Sequence, residues 1–174
     1  MVLELKVPNG GGLHELTKLF PVFLSYILSF IYIGIYWSNH HHLFQVAKQV
    51  TGGVLWANLH LMFWLSLLPF VTGWAGENNF AAVPMAFYGL VLLMSSIAYF
   101  ILARLLVNNH GERSKIAKAI SDDKKGKIST LIYIAGIAAT LVSPMISIGL
   151  YTIVAMIWII PDRRIEKVVD AKAD

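Results

Sequence analysis

Four stretches of this chain contain no Asp, Glu, Lys or Arg: those between Lys18 and Lys48, Lys48 and Glu77, Glu77 and Arg104, and Lys127 and Asp162. A helix crossing about 30 Å of hydrocarbon needs roughly 20 mostly apolar residues. That length predicts spans near 19–38, 53–75 and 80–106 in the first three stretches. The last is longer: residues 128–160 number 33, and the segment "SPMIS" at 143–147 interrupts them with serines and Pro144. Because proline removes a backbone donor, two short helices over 128–143 and 145–160, folded as a hairpin, are predicted. A single bent and strongly tilted helix is the alternative. The expected fold is an all-α, polytopic transmembrane helical bundle forming one domain.

Composition agrees with this pattern. Of 174 residues, 57% are hydrophobic and 14% charged, against about 25% charged in an average soluble domain. Cysteine is absent, which removes disulfides, thiolate metal sites and cysteine nucleophiles. A net charge of +4 would suggest nucleic acid in a soluble chain, but here the basic residues collect between apolar runs, where they report topology. With five spans, one side carries Lys48, Arg104, Arg113, Lys115, Lys118, Lys124, Lys125, Lys127, Arg163, Arg164, Lys167 and Lys172, and the other only Lys6 and Lys18. Twelve against two puts the C-terminus inside and Met1 outside. An even number of spans would bring both termini inside. "MVLEL", followed by Lys6, Pro8 and "NGGG", reads as the last turn or two of such an extra span, with a short extracellular cap as the other reading.

Ionisable groups within hydrocarbon normally mark proton relays, counter-ions or voltage sensors. Deep in the five spans only His60 is ionisable, which argues against a carboxylate-driven pump, a voltage sensor and an acidic selectivity ring. The filter string TVGYG is absent, and "FVTGWAG" at 70–76 is no version of it. The polar residues that remain sort by helical phase. Trp37, His40 and Phe44 share one face, and His41 and His42 turn away by about 100° per residue, so the "HHH" run cannot place three ligands on one ion from a regular helix. On the next span Asn58, Met62, Leu65, Ser66 and Pro69 form a stripe. Antiparallel return of this span sets Asn58 near the level of His40, where a hydrogen-bonded bridge is sensible. Trp37, His40, Asn58 and Ser66 are thus candidates for an interhelical polar network, either as structural glue worth about 1 kcal/mol or with a direct part in a pore. A haem held by His40 and His60, or zinc in the histidine run, is the competing reading, though spacing enforces neither geometry. His41 and His42 read as interfacial. The small residues of "YIAGIAATLVSPMIS" suggest close helix contact.

Two segments carry a resemblance. "FLSYILSFIYIGIYWSNHHHLFQ" and "LWANLHLMFWLSLLPFVTGW", preceded by "MVLELKVP", resemble the prokaryotic TMEM175 family of potassium-permeable channels. The specific parts are Trp37-x-x-His40 to Gln45 and Asn58-Leu59 to Pro69-Phe70. The resemblance implies a six-span repeat with cytoplasmic termini, a homotetramer in the bacterial inner membrane, and a pore lined by the first helix with bulky aliphatic side chains at its constriction. It implies an Arg-x-x-x-Phe-Ser-Asp signature packed against polar residues of the next two helices, with Trp37, His40 and Asn58 as the matching partners here. That signature is absent from this chain. Residues 1–6 correspond only to the outer end of the first helix, so the true start is expected upstream or the chain is a fragment, with Leu3 and Leu5 as candidates for the outer mouth. The function expected is passive conduction of monovalent cations, potassium as permeant, with no catalysis, cofactor, metal site or nucleic acid, and with the lipid bilayer as partner. A haem- or metal-dependent membrane redox protein and a non-conducting structural membrane protein are the alternatives.

Overall fold

The computed structural model describes Thr17, residues 19–45, Ala47, residues 49–108 and residues 124–159. Among the described residues there is no strand, and five helices follow one another: α1 (Phe20–Gln45), α2 (Gly52–Glu77), α3 (Ala82–Asn108), α4 (Lys124–Ala139) and α5 (Pro144–Ile159). Hydrocarbon offers no hydrogen-bond partner to a peptide group, so an apolar segment satisfies its backbone internally as helix. The first three helices, of 26, 26 and 27 residues, reach about 40 Å at 1.5 Å per residue. Each is long and apolar enough to cross a membrane. The last two have 16 residues each and reach about 24 Å.

Helix ends differ from those predicted by apolar length. α1 runs through the histidines to Gln45 rather than stopping near 38, because backbone hydrogen bonding continues past the hydrocarbon boundary wherever propensity allows. α4 begins at Lys124 and ends at Ala139, with a turn over 140–142. Pro144 opens α5 at the position where a missing N–H costs nothing, and it disfavours helical dihedrals at Ser143.

This turn closes its hydrogen-bond ledger. The last four carbonyls of a helix have no partner within it. Here Ala139 O accepts from Val142 N at 3.0 Å and Ser143 N at 2.8 Å, Ala138 O from Leu141 N at 3.2 Å, and Ile137 O from Thr140 N at 3.3 Å. Gly136 O accepts from the Ser147 hydroxyl across on α5, at 2.7 Å. The α2–α3 connection is equally tight. Asn79 and Phe80 have φ of 51° and 55°, unusual for a bulky residue such as Phe, and Phe80 N returns to Ala75 O at 2.7 Å. Inside α2, Pro69 lacks the N–H that would have bonded Leu65 O, and in the next turn the Thr72 hydroxyl lies 2.6 Å from Leu68 O.

α3 is the centre of the bundle, packing along α2, α4 and α5, while α1 lies against α2 and touches α5. Its buried positions Met85, Tyr88, Leu92, Ser95, Leu102 and Leu106 recur at helical spacing. With no water to expel inside a bilayer, helices associate by close packing and interhelical hydrogen bonds, and Tyr151 of α5 supplies both. Its ring lies between Gly89 of α3 and Gly136 of α4, so near that a Cβ on Gly89 would overlap the hydroxyl, and one on Gly136 would overlap Cε1. The Tyr32 hydroxyl of α1 donates to Tyr151 O at 2.5 Å. Tyr88 and Tyr133 set their rings against the same side chain at 5.5 and 6.2 Å.

Candidate functional site

The polar contacts of the α1–α2 seam fall at two levels. Near the end of α1, His40 Nε2–H donates to Asn58 Oδ1 at 2.7 Å, and the Phe44 ring covers His40 with centroids 4.5 Å apart. Their places on one face of each helix follow from the phases of residues 40 and 58, and pairing of His40 with Asn58 and of Ser29 with Thr72 sets the two helices antiparallel. About 16 Å away along α1, the buried hydroxyls of Ser29 and Thr72 hydrogen-bond to each other. One hydroxyl proton joins the pair, and the other goes to a backbone carbonyl within reach, Ser25 O at 3.0 Å or Leu68 O at 2.6 Å. The second contact did not emerge from residue pattern. Its signal was Ser25 and Ser29 at i and i+4 on an otherwise apolar helix, with Thr72 three residues after Pro69.

The other predicted members sit apart from these contacts. Trp37, 66% exposed, stacks on His41 with centroids 5.4 Å apart and planes 12° apart. Ser66 is exposed and donates to Phe63 O of its own helix at 2.7 Å. Leu3 and Leu5 lie outside the described residues, as does "MVLEL" altogether.

The histidines have separate partners. Gln45 Nε2 donates to His41 Nε2 at 2.9 Å. Nδ1 of His42 is buried without a partner. Trp64 Nε1 donates to His60 Nε2 at 2.9 Å. His40 and His60 hydrogen-bond to different partners, and among the described residues no three His, Cys, Asp or Glu side chains group so as to hold a metal ion. Of these histidine contacts, the one between helices is His40 with Asn58.

The His40–Asn58 bridge has a measurable worth. A double-mutant cycle of His40→Ala and Asn58→Ala is expected to give a coupling of about 1 kcal/mol in unfolding free energy. Reversible unfolding in detergent micelles reads it, and additive single effects would deny the bridge.

Residues 1–69 match the family model described as endosomal/lysosomal potassium channel TMEM175. The chain is 55% identical over 167 residues to a potassium channel of Chryseobacterium sp. (strain P1-3), covering 96% of this chain and 87% of the relative. It is 25% identical over 171 residues to a potassium channel of Chamaesiphon minutus, covering 90% and 83%. Its fold is similar to the crystal structure of a lysosomal potassium-selective channel TMEM175 homolog from that organism, with TM-score 0.74 at 23% identity over 90% of this chain and 85% of the other. The seam described above lies between two membrane-capable helices and largely within the matched segment, and the Chryseobacterium relative extends the likeness over nearly the whole length. The chain belongs to the TMEM175 family of potassium channels.

Proposed function

We propose that this chain is a subunit of a potassium-permeable channel that lets cations run down their electrochemical gradient without covalent chemistry. The observation that carries this reading is the 55% identity to a potassium channel over 96% of the chain. A family of ion channels is not a class of enzymes. The charged residues of α1, α2 and α3 are Glu77 at the end of α2 and Arg104 in the last turns of α3, which supports passage by dewetting of a hydrophobic neck rather than by a charged relay.

The finer parts of the reading are a homotetramer, residence in a bacterial inner membrane, and Leu3 and Leu5 at the outer mouth. Support for assembly comes from α1 and α2, where Phe23, Phe30, Trp37, Trp56, Phe63 and Phe70 stand exposed on a single chain. Such surfaces suit lipid or further copies. Trp37 and Ser66, which sit apart from the His40–Asn58 bridge, are exposed and would take partners from a further helix or subunit that covers them. Reconstitution into potassium-loaded liposomes tests the reading. Potassium efflux well above that of empty liposomes, competed by sodium to a measurable degree, is expected, and efflux equal to that of empty liposomes would overturn it.

A further inference from the structure

A cavity of about 470 Å³ opens between α1, α3, α4 and α5, at the end of the bundle where α3 finishes and α4 begins. That volume is in the range of small-molecule sites, roughly 300–1,000 Å³. Ile97, Phe100, Leu131 and Val154 give it apolar walls, and several of the polar groups among them are already partnered. Asn39 Nδ2 donates to Ile35 O at 2.8 Å, Trp158 Nε1 to Ser129 Oγ at 2.8 Å, and Thr130 Oγ1 to Gly126 O at 2.9 Å. A polar ligand inside would find few open partners, and water few anchors. Ile97, Phe100 and Leu131 are also exposed, so the opening faces sideways, toward hydrocarbon.

The lip has the opposite character. Lys127 borders the cavity and is exposed. Arg104 is exposed too, and holds its guanidinium 5.0 Å over the ring of Phe100, itself a wall residue. A dry slot with a cationic rim, opening sideways from a membrane protein, is complementary to an amphiphile with a hydrocarbon tail and an anionic head. We propose that this cavity is a binding site for an anionic phospholipid, with an acyl chain in the slot and the phosphate at Lys127 and Arg104.

The site is read by binding, without any need for conduction. Native mass spectrometry of the detergent-purified protein is titrated with phosphatidylglycerol and phosphatidylcholine of equal chain length. A basic residue at a membrane surface contributes about 1 kcal/mol, so two predict that phosphatidylglycerol is retained at about thirtyfold lower concentration. In Lys127→Ala/Arg104→Ala, both changes being at exposed positions, the preference is expected to vanish while both lipids still bind. Ser96→Phe, which fills the cavity from its wall, is expected to lose both lipids with helix content intact. Equal retention of the two lipids by the unaltered protein, a preference that survives the double variant, or undiminished binding by a folded Ser96→Phe would each overturn the proposal. Should Ser96→Phe fail to fold, the double variant decides alone.

Discussion

Gly89→Ala and Gly136→Ala are each expected to destabilise the bundle by about 1–3 kcal/mol, the range for overpacking a filled interior. In a water-exposed helix the same change stabilises, because alanine is the better helix former by up to about 1 kcal/mol, so the sign reports packing. An added Cβ at Gly89 would overlap the Tyr151 hydroxyl and stand 2.7 Å from Cζ and 2.8 Å from Ile137 Cγ1. At Gly136 it would overlap Cε1 and stand 3.0 Å from Cζ. The tyrosine has little room to yield. Its carbonyl is held by Tyr32, and its ring is pressed edge to face by Tyr88. Tyr151→Phe separates the two positions: it deletes the atom nearest to Gly89 but leaves Cε1 in place, so it should rescue part of Gly89→Ala and nothing of Gly136→Ala. Its own cost is small, since the hydroxyl's bond to Met85 O is long, at 3.4 Å. Gly34→Ala and Gly149→Ala, where an added Cβ meets nothing within 4 Å, serve as controls and should leave unfolding unchanged or slightly later. If Gly89→Ala behaved like Gly34→Ala, α3 would not approach α5 as closely as described.

The contrast between these glycines shows what residue pattern reveals and what it leaves hidden. Ala135, Gly136, Ala139, Thr140 and Ser143 were legible as a close-contact face because small side chains in a membrane helix have few other uses. That Gly136 receives a tyrosine ring from α5, shared with Gly89 of α3, was not legible, since no local rule connects residues 89, 136 and 151. The helices were legible from missing charges, because burying an unpaired charge in hydrocarbon is costly. Their ends were not, since hydrogen bonding outlasts the hydrocarbon, as α1 does in reaching Gln45. His40 and Asn58 could be paired from helical phase and an antiparallel link alone. Ser29 and Thr72 could not, because a hydroxyl on an apolar helix can equally bond its own carbonyl four residues back, as Ser29 also does to Ser25. His60 illustrates a missed local signal: Trp64 stands at i+4, within reach on the same face, and donates to its Nε2.

The α4–α5 turn yields the other large effect. Ser147→Ala is expected to cost about 1–3 kcal/mol, the penalty for leaving a buried acceptor unsatisfied. Ser147 is fully buried, and its hydroxyl is the partner given to Gly136 O from outside α4. In water the freed carbonyl would hydrate, but between packed helices in a bilayer that relief is withheld. Thr140 makes the matched comparison. Its hydroxyl donates to Ile137 O at 2.7 Å, but that carbonyl also receives Thr140 N at 3.3 Å, so Thr140→Val, which keeps the side chain's shape, removes a redundant donor and should cost under about 1 kcal/mol. Unfolding midpoints of the two variants in the same detergent decide the matter. A penalty for Thr140→Val equal to or above that of Ser147→Ala would mean that the turn is held by local hydroxyl bonding rather than by the bond that α5 makes back onto α4. The expected order makes the turn end of the hairpin lean on Ser147 of α5, and places that bond on the glycine against which the Tyr151 ring fits.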